Sequence, residues 1–203
     1  RWKRCGVQGA ALSPRSRVLD LAAGTGDFSS LAVRQAEGTL AVAVDLAEAM
    51  LRGARRRGIH LAVAAEAGRL PFPSGAFDCV FVGYGLRNFP DLPGALREAW
   101  RVTRPGGGLV TLDFFLPSHP LIRSLYLVYL WLQGAFWGLV LHGRPRVYTY
   151  IPHSLRSFVS IAELSQALGE AGYTAVRSRA YIFGGIGLHW ASKPAASAAQ
   201  CRV

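Results

Sequence analysis

The 203-residue chain is poor in cysteine, in lysine and in acids. Its three cysteines, Cys5, Cys79 and Cys201, are odd in number, far apart and in no metal-ligand spacing. That excludes a disulfide framework and a zinc site and fits a reducing compartment. The only lysines are Lys3 and Lys193, so the positive charge is carried almost wholly by arginine. Twelve acids stand against 23 basic residues, a formal net charge of +11. Such a surplus suits an anionic partner: a membrane surface, a nucleic acid or an acidic substrate. No RNA-binding aromatic signature or zinc-finger spacing accompanies the basic residues, which argues against nucleic acid. The one dense cluster, Arg52, Arg55, Arg56 and Arg57 ahead of Gly58, reads as a solvated helix end. There is no internal repeat and no secretory leader in what is read. The opening RWKRCGV lacks a Met and begins mid-pattern, so a further N-terminal segment is expected. Half the residues are apolar, a globular composition sufficient for one domain with its own core.

The first two thirds alternate strand-like and helix-like stretches. RVLDLAA is a buried strand ending in a Gly-rich turn, and DFSSLAVRQAEG a helix stopped at Gly38. TLAVAVD, IHLAVAA, FDCVFVGYG and GLVTLDFF read as further strands. LAEAMLRGARRRG and PDLPGALREAWRVTRPGG read as helices, the second ended by Pro and Gly. This alternation predicts right-handed βαβ units and a parallel sheet. The last third holds a hydrophobic stretch, a helix in IAELSQALGEAG, and two strands, YTAVRSRAYIF and GIGLHWASKP, able to form an antiparallel hairpin at one edge. A single domain over 1–194 and a disordered tail over 195–203 are expected.

Chemistry concentrates at successive strand ends. In LDLAAGTGDF, Gly24 and Gly26 turn the chain so that backbone can approach a ligand. No Gly-Lys-Ser/Thr follows, so it is not a phosphate loop, and Ser29 occupies the third position of a dinucleotide fingerprint. Asp45 ends the second strand, where a carboxylate can accept both ribose hydroxyls. Glu66 follows the third strand. Asp20 and Asp45 could instead cap the helices after them, and Glu66 could be a solvated loop acid. Together the three strand ends describe a nucleoside cofactor without a pyrophosphate grip, for which S-adenosylmethionine fits better than NAD.

These segments resemble the bacterial quinone-biosynthesis C-methyltransferases, which methylate demethylmenaquinol or a methoxy-polyprenyl-benzoquinol. VLDLAAGTGDF, VDLAEAML, LPFPSGAFD, GYGLRNFPD, RPGGGL, LDFFLP, YTYIPHS and GGIGLHWASKP fall in the family's order from Trp2 to Pro194. The first four are partly generic to class I methyltransferases; GLRNF, the Tyr-x-Tyr-Ile-Pro-x-Ser pattern and the closing Gly-Ile-x-Leu-His are more specific. The resemblance implies an α/β, Rossmann-like fold: a seven-stranded, mostly parallel sheet with one antiparallel edge strand and a helical lid over about 118–158. It implies S-adenosylmethionine held by Asp20, Ala22, Gly24, Thr25, Gly26, Asp45, Leu46, Met50, Glu66, Ala67 and Tyr84. It implies catalytic roles for Arg87 and Asn88, and a substrate pocket drawn from Asp113, Tyr126, Tyr148, Tyr150, His153 and His189. No metal is expected, because the sulfonium already activates the methyl. The sequence departs from the family in reading Glu66-Ala67-Gly68 where an acid-Ala-Glu stretch is usual, and it lacks a Phe-Asp and Tyr-Asp segment that precedes the first strand.

The stretch from Leu125 to Leu141 carries no charge. A membrane span needs about 20 apolar residues; this run is shorter, holds Gln133, Gly134 and Gly138, and sits between parts of one sheet. It reads either as a core helix or, preferably, as a lid whose Tyr126, Tyr129, Trp131, Phe136 and Trp137 line a tail channel and dip into the bilayer interface, with Arg123, Arg144 and Arg146 toward anionic headgroups. The expected protein is a peripheral enzyme on the inner face of the cell membrane, with its self-association left open. Demethylmenaquinol is favoured over the benzoquinol. Another lipophilic phenol as acceptor, or a non-catalytic cofactor-binding role at the membrane, stays as an alternative.

Overall fold

The computed structural model describes residues 1–143, 154–155 and 158–196. Seven strands form one sheet: β1 (Arg17–Leu21), β2 (Leu40–Asp45), β3 (Leu61–Ala64), β4 (Phe77–Gly83), β5 (Thr103–Phe114), β6 (Thr174–Tyr181) and β7 (Ile186–Ser192). Their spatial order is β3-β2-β1-β4-β5-β7-β6. The first five are parallel, in register from Val42↔Leu61 through Leu19↔Val42 and Leu19↔Val80 to Val82↔Thr111. β7 runs antiparallel between β5 and β6. The antiparallel pair thus sits at the edge, with β7 one place in and β6 outermost.

Among the described residues six helices accompany the sheet: α1 (Trp2–Gly9), α2 (Asp27–Gln35), α3 (Glu48–Arg56), α4 (Leu92–Val102), α5 (Pro120–His142) and α6 (Ile161–Glu170). Because side chains alternate along a strand, the sheet feeds two cores. Leu19, Leu21, Val80, Val82 and Leu109 point to the side covered by α4 and α6, where they meet Leu96, Ala99, Leu164 and Leu168. Val18, Phe81, Val110 and Leu112 point to the side of α1 and α2, meeting Val7, Phe28 and Ala32. Phe28 and Phe81 stack at 5.1 Å between ring centroids. Local signals close the helices. The Asp91 side chain accepts from the Gly94 amide at the start of α4, and Ser160 and Glu163 form a capping box on α6.

Three features differ from the sequence reading. Residues 2–9 are helical, docked by the Trp190 indole donating to Gly6 O and by Gln35 donating to Val7 O. The Pro-Gly run after α4 lies inside β5, where its register with β4 slips between Phe77 and Cys79. The arginine cluster is partly engaged: Arg57 donates to Thr25 O, Thr25 Oγ1 and Asp27, and Arg55 to Ala62 O.

Helix α5 buries only a narrow stripe, Tyr126, Leu130, Gly134 and Gly138, at a spacing of one turn. Leu125, Val128, Tyr129, Trp131, Leu132, Phe136, Trp137 and Leu139 are exposed. This is a docked helix with an uncovered apolar face, not a core helix. Among the described residues no helix is long and apolar enough to cross a membrane.

Candidate active site

The chain leaves β1 toward β2 and β3 on one side and returns to β4 and β5 on the other. A crevice opens where the winding reverses, at the carboxyl ends of β1 and β4. At the lip of β1, Ala22 (φ 54°) and Gly24 (φ 55°) adopt left-handed backbone conformations. A Cβ on Gly24 would meet nothing within 4 Å, so this peptide faces open space. The Gly24 amide donates to Asp45 Oδ2 at 2.8 Å and the Ala47 amide to Asp45 Oδ1 at 2.8 Å. Asp45 thereby ties the glycine turn to the end of β2 while its oxygens keep lone pairs for a ligand.

Asp20 lies behind this turn. It is fully buried and accepts from the Ser29 amide (2.8 Å) and hydroxyl (2.9 Å), so it anchors α2. Burial pushes its pKa up to about 7, against the opposing pull of those hydrogen bonds. Thr25 and Gly26 also sit behind the lip: Gly26 caps α2, and Thr25 accepts from Arg57. Asp27 is held below the ordinary carboxylate range, chiefly by the Lys3 hydrogen bond and then by Arg57.

A cavity of about 530 Å³ fills the crevice, lined by Ala22, Gly24, Asp45, Leu46, Met50, Glu66, Ala67, Tyr84 and Asn88 among others. Most of the cofactor residues expected from the sequence therefore share one wall. Asp20, Thr25 and Gly26 support it from behind. The sequence reading missed Phe89, Pro90, Asp91 and Ala95, which close the far side. Their signal was the continuation of GLRN into a Pro-Asp helix cap. Among the described residues the lining holds three carboxylates, Asp45, Glu66 and Asp91, and no lysine, arginine or histidine.

Next to the cavity, residues Leu86–Asn88 form a 3-10 turn. It approaches the β1 lip so closely that a Cβ on Gly85 would fall 2.4 Å from Ala22 Cβ. Asn88 faces the cavity, but Arg87 turns to a neighbouring cleft of about 570 Å³, bounded by Leu86, Phe89, Pro90, Phe158 and Val159. Arg87 forms an ion pair with Asp113 at the end of β5, both side chains being buried. The Phe114 amide also donates to Asp113 Oδ1 at 2.8 Å, and the guanidinium lies 5.3 Å from the Phe114 ring centroid. Two buried atoms of this pair, Arg87 Nε and Asp113 Oδ2, have no hydrogen-bond partner among the described residues. Burial raises the Asp113 pKa, opposed first by the Arg87 charge. Phe89, Pro90 and Asp91 line both clefts, and Tyr84 lines the cofactor cavity. Tyr84 has a left-handed backbone (φ 61°), its amide donates to Leu112 O at 2.7 Å, and its ring packs on Phe114 at 4.8 Å. Burial, assisted by the Asp113 charge, pushes its pKa up to about 12.

Of the remaining expected substrate residues, Tyr126 and His189 do not line the cavity. The Tyr126 hydroxyl donates to Gly185 O at 2.7 Å, pinning α5 to the β6–β7 turn. His189 is a correction. It is fully buried in β7, its Nε2 is 3.1 Å from Ile161 O and its Nδ1 is 3.4 Å from Thr111 Oγ1, so it fastens α6 to the sheet. Burial lowers its pKa, which keeps the ring neutral. Tyr148, Tyr150 and His153 lie outside the described residues.

Comparison with known proteins adds ancestry to this geometry. The model of the ubiE/COQ5 methyltransferase family matches residues 1–193. A demethylmenaquinone methyltransferase of Thermus thermophilus is 38% identical over 199 residues, covering 96% of this chain and 90% of that protein. One of Mycolicibacterium gilvum is 37% identical, covering 95% of this chain and 83% of that protein. Among solved structures, a SAM-dependent methyltransferase from Aquifex aeolicus superposes with a TM-score of 0.66 at 18% identity, over 94% of this chain and 88% of that one. The [4+2]-cyclase SpnF superposes equally well, with a TM-score of 0.70 at 18% identity over 96% and 80%. The architecture alone therefore does not dictate methyl transfer.

Proposed function

Because the chain belongs to the ubiE/COQ5 methyltransferase family, we infer that it methylates a ring carbon of a polyprenyl quinol with S-adenosylmethionine, converting demethylmenaquinol to menaquinol. Two of its relatives carry the name demethylmenaquinone methyltransferase. The observation that carries the cofactor assignment is the acid-lined cavity. A dinucleotide or nucleotide triphosphate would bring phosphates toward Asp45, Glu66 and Asp91, with no cation among the described lining residues to receive them. A phosphate-free nucleoside with a positive sulfonium suits that lining. Asp45 stands where ribose hydroxyls would be accepted, and Glu66 where an adenine amino group would donate.

When bound, S-adenosylmethionine supplies an activated methyl group. The chain must orient the acceptor ring and make its carbon nucleophilic. A quinol hydroxyl resembles Tyr, with a pKa of about 10. Arg87 cannot take its proton, since guanidinium stays charged; it stabilises the phenolate, and water carries the proton away. Its Nε donor and the Oδ2 acceptor of Asp113, which have no partner among the described residues, are complementary to a hydroxyl. Tyr84 and Asn88, in the lining of the cofactor cavity, position the ring against the cofactor.

A lipophilic acceptor is reached from the bilayer, and in this reading the enzyme works on the inner face of the cell membrane. The exposed side of α5 supports this reading, as does the net charge of +11. A spanning α5 would divide β5 from β6 and β7, which pair with one another. The test is methyl transfer followed by mass spectrometry, with labelled S-adenosylmethionine and detergent-dispersed reduced demethylmenaquinone or methoxy-polyprenyl-benzoquinone. Label on the naphthoquinol ring is expected. Label on the benzoquinol alone overturns the substrate assignment, and label on neither, with cofactor bound, overturns the reaction.

A further inference from the structure

Among the described residues the non-glycine positions with left-handed backbone are Ala11, Arg15, Ala22, Tyr84, Ala175, Ile182 and Phe183. Ala22 and Tyr84 belong to the cofactor lip. Ile182 (φ 49°) and Phe183 (φ 52°) lie outside both clefts, in the turn joining β6 to β7, and are consecutive. Neither is glycine and one is β-branched, the class for which this conformation is costliest. The strain gains no packing: Phe183 is 82% exposed and Ile182 47% exposed. A turn that presents an aromatic side chain to solvent at a conformational cost calls for a partner that takes the side chain up.

The surroundings say which partner. β6 runs parallel to β5, so this turn stands at the carboxyl edge of the sheet, beside the root of α5. The Gly185 carbonyl accepts from Tyr126, its neighbour Gly184 lies against Pro117, and the first turns of α5 expose Leu121, Leu125 and Tyr129. Basic residues frame the turn. Tyr181, just before it, contacts Trp2 of α1 with ring centroids 6.1 Å apart and carries the Arg179 guanidinium 5.3 Å from its own ring. Exposed Arg179 thus lies against the ring that precedes the aromatic tip, and exposed Arg1 and Arg4 stand close in the chain to the Trp2 that this ring contacts. An apolar prong flanked by arginines and continuous with an apolar helix matches the interface of an anionic bilayer: headgroups for the arginines, acyl chains for the prong.

We propose that the Ile182–Phe183 turn is a membrane-inserting prong, a second anchor that acts with α5. This rests on the membrane-surface reading of α5 and adds orientation to it. With two anchors at one edge, the carboxyl ends of the strands, and both clefts with them, face the bilayer from which the quinol arrives.

The experiment is sedimentation of the full protein with vesicles of phosphatidylcholine containing phosphatidylglycerol. Phe183→Asp should lower the partition coefficient about tenfold, the scale expected for losing a half-buried phenyl ring. Cofactor binding should be unchanged. Phe183→Gly, which relieves the strain, should raise the thermal midpoint and yet weaken vesicle binding, a combination that misfolding cannot produce. Arg4→Glu with Arg179→Glu should weaken binding to the anionic vesicles only. Leu61→Ser, at a half-exposed apolar residue on the opposite edge strand β3, should have no effect. If Trp131→Ser with Phe136→Ser reduces binding while Phe183→Asp does not, the prong is refuted and the α5 reading stands. If the unaltered protein binds no vesicle, both fall. A change in sedimenting mass without a change in partition would make the turn a contact between protein copies and overturn the proposal.

Discussion

Removing Arg87 tests two roles at once, and the structure separates them. The guanidinium is the charged partner of Asp113, a carboxylate with no solvent exposure. Arg87→Leu leaves that carboxylate buried and uncompensated, at a cost of about 3–5 kcal/mol. The cost has a definite pH dependence. Burial already raises the Asp113 pKa, and Arg87 is the main influence lowering it. In the variant the folded pKa rises further above the unfolded value, so the folded state holds the extra proton. The deficit is therefore small at acid pH, where Asp113 is protonated with or without Arg87, grows as pH rises from the wild-type folded pKa toward the variant's higher one, and levels off above it. Asp113→Leu should cost a similar amount by stranding the guanidinium. The double variant Arg87→Leu/Asp113→Leu removes both charges and should regain most of the stability. Its turnover should not return: loss of a charge-stabilising donor costs about 10²–10³-fold in kcat. Cofactor affinity should survive in all three, because Arg87 does not line the cofactor cavity. Urea unfolding at pH 5 and pH 8, calorimetric cofactor binding and single-turnover methyl transfer together decide the matter. Wild-type turnover in the double variant would refute the catalytic role, and pH-independent stability of Arg87→Leu would refute the buried-charge argument.

Two further outcomes follow from the cofactor lip. Asp20→Asn keeps an acceptor for Ser29 but cannot ionise; since burial raises the Asp20 pKa from 3.8 to about 7, the variant should gain stability over wild type as pH rises from 4 to 8. The gain is up to about 4 kcal/mol, and a pH-independent difference in unfolding free energy would count against it. Asp45→Ala removes the acceptor for the Gly24 and Ala47 amides, at about 1–2 kcal/mol of stability. It should also raise the cofactor Kd at least about tenfold in titration calorimetry, and an unchanged Kd would move the ribose elsewhere.

Much of this was open to a reader of the bare chain. Strands such as TLAVAVD carry their apolar runs in contiguous sequence, and glycines mark where they stop, so the parallel order could be inferred before any contact was known. Asp45, Glu66 and Gly24 were legible because each follows a strand whose end must lie on one edge. His189 was not, because the direction of its ring depends on α6, whose packing against β7 is a long-range event. Helix α1 was hidden by its eight-residue length and by anchors such as Trp190, which lies 184 positions along the chain from its partner Gly6.

Sequence alone determined most of the elements, the winding of the sheet and the acids Asp45 and Glu66 at its carboxyl edge, because periodicity and turn chemistry are local. Tertiary structure alone decided that Arg87 meets Asp113 across 26 residues, that α5 leaves its aromatic side uncovered, and that Phe183 projects from a strained turn beside it. Pairing, exposure and strain each depend on what the rest of the chain places alongside, and no local pattern encodes that.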